Sequence, residues 1–141
     1  MIARALLALL CSLASTQGTA DSSSTVQHAV GTYSMVDHFP KGDVGEIFWA
    51  FHFTGDLEAV SRREIFCEPV RPAKCKIRET VMGWMAGRQG SFVIEQGEPG
   101  DPVEAIVPGS GGGDFIGIAG KLSRAPRRGK LRYDLTYTLP N

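Results

Sequence analysis

Residues 131–139 read LRYDLTYTL, and their pattern decides the fold. Leu131, Tyr133, Leu135, Tyr137 and Leu139 alternate with Arg132, Asp134, Thr136 and Thr138. A strict period of two gives a β-strand one apolar face and one polar face. At lower contrast the same period marks VGTYSMVDHF (30–39), GEIFWAFHF (45–53), LEAVSRREIF (57–66) and KCKIRETVMGWM (74–85). SFVIEQ (91–96), VEAIV (103–107) and FIGIAG (115–120) read as further strands. Between them lie FPKGD, TGD, EPVRPAK, AGRQG, GEPGDP, PGSGGGD and APRRGK, built from residues that supply positive φ or a preset turn φ. Beyond residue 20, no eleven-residue window carries a helical stripe.

Eight sequential strands with short connections predict an all-β domain closed as an eight-stranded antiparallel up-and-down barrel. Such a barrel holds packed side chains or one small ligand. Composition agrees with one globular domain. Seventeen glycines and eight prolines stand among 141 residues, without a collagen period, and 43% of the chain is apolar. Fifteen basic residues balance fifteen acidic ones, and no Lys/Arg run exceeds Arg127-Arg128. That balance removes the electrostatic basis for nucleic-acid binding.

Residues 1–20, MIARALLALLCSLASTQGTA, carry Arg4, then an apolar run from Ala5 to Ala14, then small residues. These are the three regions of a secretory signal peptide, with cleavage expected between Ala20 and Asp21. The run is about half the length needed to span a bilayer, so no transmembrane segment is expected in the mature protein. A buried first helix is the competing reading. The expected product is exported, periplasmic or secreted, with a disordered lead-in over 21–29 and one barrel domain over 30–141. Cys11 leaves with the signal, so Cys67 and Cys75 remain, flanking EPVRPAK. In an oxidising compartment they fit a disulfide across a hairpin neck, contributing about 2.5 kcal/mol. Two free buried thiols are the alternative. His28, His38 and His52 lack ligand spacing and no CxxC is present, so no metal and no cofactor is expected. Asn141 is the single asparagine, which excludes N-glycosylation.

Three stretches carry a family resemblance: FTGDLEAVSRREIF (53–66), ETVMGWMAGRQGSFVIEQGE (79–98) and VPGSGGGDFIGIAGK (107–121). Together they resemble a bacterial family of unknown function with TGDLEG, GRSGSF and PGSGTGELAG-type motifs. Ala59 stands where that pattern has glycine. The family is similar in fold to allene oxide cyclase, which implies a calycin-like barrel. The resemblance also implies a homo-oligomer by analogy, since allene oxide cyclases assemble.

Conventional catalytic motifs are absent. Ser110 lies in Pro-Gly-Ser-Gly-Gly, which lacks the first glycine of GxSxG, and the glycine run has no following Lys-Ser/Thr. Polar residues on apolar strand faces are more informative. Glu79 shares a face with Ile77, Val81 and Met85, while Glu46, Phe48 and His52 share a face of the second strand, opposite Trp49. A lumen holding Glu79, Glu46 and His52 would offer an acid–base constellation. Phe48, Trp49, Ile77, Val81 and Met85 would line a ligand there. The plainer readings are a structural ion pair between Glu79 and Arg63 or Arg88, and aromatic core packing for the rings. Arg124, Arg127, Arg128 and Lys130 read as a basic surface loop, with weak contact to anionic envelope components as the bolder reading.

Three functions follow as expectations. The first is a small apolar or amphipathic molecule bound in the lumen. The second is a cofactor-free isomerase or cyclase of allene oxide cyclase type. The third is a structural or interaction protein with a filled barrel.

Overall fold

The alternating stretch forms β9 (Lys130–Thr138), and its apolar positions turn inward, with Tyr133, Leu135 and Tyr137 buried. The computed structural model describes residues 24–41, 46–68, 74–97 and 101–140. The expected signal segment, with the cleavage expected between Ala20 and Asp21, lies outside the described residues. Before β9 come β1 (Gln27–Lys41), β2 (Glu46–Gly55), β3 (Leu57–Glu68), β4 (Lys74–Met85), β5 (Arg88–Gln96), β6 (Val103–Ile106), β7 (Gly112–Gly113) and β8 (Ala119–Arg127). Each neighbouring pair is antiparallel, in the order β4, β3, β2, β1, β9, β8, β6, β5, and β5 bonds back to β4. The expected eight-stranded up-and-down barrel is therefore closed. The two residues of β7 add to β5 outside that circuit.

Two boundaries differ from the sequence reading. β1 begins at Gln27, inside the expected lead-in, because Gln27 to Ala29 pair with Tyr137 to Leu135 of β9. The expected strand FIGIAG is turn over Phe115, Ile116 and Gly117, and the seventh barrel strand, β8, starts only at Ala119 and runs through SRAPR. Its inward row is Gly120, Leu122 and Arg124, so a charged residue on the core face hid its period.

The wall is uneven. β1 pairs with β2 as far as Lys41 but with β9 only to Thr32. β3 and β4 pair up to Glu68 and Lys74, whereas β5 leaves β4 at Ile77. The upper parts of β1 to β4 thus rise as a flange over one side of the barrel mouth. Cys67 and Cys75 oppose each other in that flange, though the Cys67 side chain lies outside the described residues.

The opposite end is filled. Phe53, Leu57, Met85, Phe92, Leu122 and Leu135 pack there, with Phe115 and Ile118 supplied by the loop between β6 and β8. Each large side chain stabilises by roughly 1.5–3 kcal/mol through burial. Gly111 is required for that loop to dock, since a Cβ there would lie 2.0 Å from the Phe115 carbonyl oxygen. Gly90 leaves room for the Phe115 ring, which a Cβ would meet at 2.8 Å. Ser110 Oγ accepts from Val93 N at 3.0 Å and donates to Val107 O at 2.6 Å, tying the loop to β5.

Candidate functional site

Between the filled end and the mouth lies a belt of charge. Glu79 on β4 and Arg63 on β3 oppose each other in register, and both point inward. Arg124 on β8 and Glu104 on β6 complete the group, and Ser61 sits one pleat below Arg63. Glu79, Glu104 and Ser61 are buried, and Arg124 retains 8% side-chain exposure. Arg63 keeps 19%, on the mouth side. Burial in a barrel interior makes an unpaired charge very costly, so the pairing must be mutual.

Each carboxylate bridges both guanidiniums. Glu79 Oε1 accepts from Ser61 Oγ, while Oε2 accepts from Arg124 Nη2 and lies 3.6 Å from Arg63 Nε. Glu104 Oε1 accepts from Arg63 Nη2, and Oε2 accepts from Arg124 Nε at 3.1 Å. Two negative and two positive groups close a neutral ring. Two buried donors have no hydrogen-bond partner among the described residues, Arg63 Nε and Arg124 Nη1. The Arg124 guanidinium also stacks near three rings, 4.9 Å from the Tyr33 centroid, 5.4 Å from Phe53 and 5.8 Å from Phe51. By contrast, the outer pair Arg78–Glu95 at 2.7 Å is solvent-facing. The Arg78 hydrogen bond holds the Glu95 carboxyl below its ordinary range, and such surface pairs add little stability.

Above the ring, the described inward residues of the flange are apolar and partly exposed. Tyr33, Trp49, Phe51 and Ile77 are half-buried there, while Met35 is 55% exposed and Ile65 37%. Leu131, on the neighbouring strand β9, is 41% exposed. Their exposure follows from the short wall opposite, which stops before it can cover them. Cavities of about 600, 340 and 320 Å³ lie on the outer surface along β5–β6–β8, β8–β9 and β1–β9–β8.

The sequence-predicted residues separate into those brought together and those left apart. Glu79, Val81 and Met85 face inward as expected, but Val81 and Met85 belong to the packed core. Trp49 and Ile77 face the mouth. The expected lumen face of β2 is corrected: His52 is exposed on the outside, and Phe48 lies on the outside under the Arg62 guanidinium, 4.3 Å away. Register explains it. Phe53, Phe51 and Trp49 oppose Ala59, Ser61 and Arg63, and three aromatic residues turn inward in preference to Phe48, Ala50 and His52. Glu46 lies in β2, but its side chain is outside the described residues. Of the arginines proposed for Glu79, Arg63 is a partner, whereas Arg88 reaches the Pro140 carbonyl at 3.3 Å. Arg124 and Glu104 were missed. Their one sequence signal is position on alternate residues, with Leu122 two before Arg124 and Ile106 two after Glu104.

Among the described residues, no group of three His, Cys, Asp or Glu could hold a metal, and no helix is long and apolar enough to cross a membrane. A family model described as "Protein of unknown function (DUF3224)" matches residues 16–137. The chain belongs to DUF3224. Another DUF3224 protein of unknown function, from Shewanella oneidensis MR-1, has a crystal structure similar to this one. The TM-score is 0.66 at 23% identity, over 83% of this chain and all of the other. No curated protein matches the chain.

In this DUF3224 barrel the stretches that carried the resemblance build the scaffold around the site. In TGDL, Asp56 Oδ2 accepts from Val30 N at 2.9 Å, and the Tyr133 hydroxyl accepts from Leu57 N at 2.9 Å. Burial pushes the Tyr133 hydroxyl above its ordinary pKa. In AGRQG, Ala86 (φ 52°) and Gly87 (φ 74°) form the two-residue turn that joins β4 to β5. PGSGGGDF is the loop that fills the lower end.

Proposed function

We propose that this protein binds a small amphipathic molecule at the mouth of the barrel. The apolar part rests on Tyr33, Trp49, Phe51 and Ile77, and the polar end points down toward Arg63. One observation carries this reading: a half-exposed aromatic surface stands directly above a ring in which two buried arginine donors, Arg63 Nε and Arg124 Nη1, lack hydrogen-bond partners among the described residues. Apolar walls with a few convergent polar groups are the usual make-up of a small-molecule site. The side chains that fill the lumen support a seat at the mouth in preference to the interior, where the sequence reading put it.

The cyclase reading asks for a carboxyl free to exchange a proton. Glu79 has both oxygens engaged, and His52 is on the outside, so the geometry favours a binder. An interaction protein is the second reading, and the exposed outer row Val60, Met82 and Trp84 favours it. Export through residues 1–20 and a Cys67–Cys75 disulfide belong to the same proposal, and the opposition of the two cysteines in register supports the bond. Thiol titration of unfolded, unreduced protein should find no free thiol at either position.

Anilinonaphthalene sulfonate, an aromatic anion, is a suitable probe. Its fluorescence should rise on binding the native protein, and Trp49→Ala should weaken that binding about tenfold. An absence of binding, or binding unchanged by Trp49→Ala, contradicts the mouth site. Sedimentation velocity tests the second reading, which self-association lost in Trp84→Ser would favour.

A further inference from the structure

We propose that the barrel mouth docks on an anionic lipid surface through the β8–β9 hairpin tip and the apolar rim beside it. Arg127, Arg128, Lys130 and Arg132 are all exposed, and none makes an ion pair or side-chain hydrogen bond with the described residues. In a chain with zero formal charge, four unpaired cations on one tip make a strongly local positive field. Asp134 is the carboxylate nearest them along β9, and it is hydrogen-bonded to His28 Nδ1 at 3.2 Å.

The tip is built at a conformational cost. Arg128 has φ 51° and Gly129 φ 74°, the two-residue turn in which asparagine or glycine sits without strain. Arginine there projects its charge at the extreme end of the hairpin.

Beside the cations is an apolar edge. Leu131 is 41% exposed between Lys130 and Arg132. Thr32 opposes Arg132, so continuing the register brings Tyr33 next to Leu131. Met35 and Val36, at the β-bulge just beyond, are 55% and 64% exposed. Cations flanking exposed Leu, Met and Val suit a lipid interface, where headgroup phosphates meet the charges and acyl chains meet the side chains. A free phosphate ion would leave the apolar edge without a partner. The orientation also turns the mouth toward the bilayer, a store of amphipathic molecules.

The test is co-sedimentation of the full chain with vesicles of phosphatidylcholine alone, and with vesicles of phosphatidylcholine mixed with phosphatidylglycerol. Binding is expected to the mixed vesicles only. Each cation near an anionic surface accounts for about fivefold in affinity, so the double variant Arg127→Gln/Arg128→Gln should bind about 25-fold more weakly. Lys121→Gln, a charge removed away from the tip, should change binding about twofold or less, by general field alone. Leu131→Ser should weaken binding about threefold with the charges intact. Equal binding to both vesicle types overturns the proposal, as does a double variant that binds like the parent. Displacement from mixed vesicles by inorganic phosphate at constant ionic strength would assign the tip to a free anion instead. The measurement is independent of whether any ligand occupies the mouth.

Discussion

The two halves of the barrel interior solve the same problem with opposite chemistry. Below, eight strands and a glycine-rich loop are filled by Phe53, Phe92, Phe115, Leu122 and Leu135, which need only fit. Above, Ser61, Arg63, Glu79, Glu104 and Arg124 fill a comparable cross-section with charges that must be matched one against another. Apolar packing tolerates variation in identity while volume is kept. A closed ion ring tolerates no single deletion, and hydrophobic residues of equal volume would stabilise the fold as well or better. The ring forms the floor of the mouth.

The largest effects break that contrast directly. Glu79→Ala should cost about 3–5 kcal/mol in a urea-unfolding measurement, because it leaves the Arg124 guanidinium buried with half its partners. Replacing Arg63, Glu79, Glu104 and Arg124 together by apolar residues of similar volume should recover most of that loss, while abolishing probe binding at the mouth. Below the ring, Phe115→Ala should also cost about 3–5 kcal/mol, through cavity formation. Its cost should be independent of salt, and no second charge change should rescue it.

A smaller effect reads the lower scaffold through pH. Burial raises the Tyr133 hydroxyl, and likewise that of Tyr137, above the ordinary tyrosine value. A raised pKa in the folded state means the stabilisation is complete below about pH 10 and disappears as pH rises through the shifted value. Unfolding free energy should therefore fall on the alkaline side. Tyr133→Phe should flatten that fall while lowering stability at neutral pH by about 1 kcal/mol, through the lost bond from Leu57 N. A slope unchanged in Tyr133→Phe would remove Tyr133 as its source.

How much of this was legible in the sequence depends on what each position does. Where the inward residues were apolar, as at Tyr133, Leu135 and Tyr137, the period of two gave the strand and its face together. On β8 the inward Arg124 looked like part of a basic loop, so both the strand and a member of the ring were misplaced. On β2 both faces carried aromatic residues. The choice between His52 and Phe53 as the inner residue rested on pairing with β3, which no single-strand pattern contains. The height of the flange was equally hidden, since it depends on where β9 and β5 part from their neighbours.

The turn between β4 and β5 gives the smallest effect. Ala86 occupies a left-handed conformation with φ 52°. Ala86→Asn should stabilise by about 0.5–1 kcal/mol without touching either half of the interior. An unchanged melting temperature would mean that the turn relaxes at no cost.

In the proposed function the mouth above the ring, and not the outer wall, receives the ligand. Trp49 lines the mouth and Trp84 lies on the outer face, 53% exposed, and they are the two tryptophans of the chain. Single-tryptophan proteins, Trp84→Phe and Trp49→Phe, titrated with a brominated fatty carboxylate, test it most directly. Saturable quenching of Trp49 and none of Trp84 is expected. Saturable quenching of Trp84 with Trp49 silent would put the ligand on the outer face and remove the mouth site.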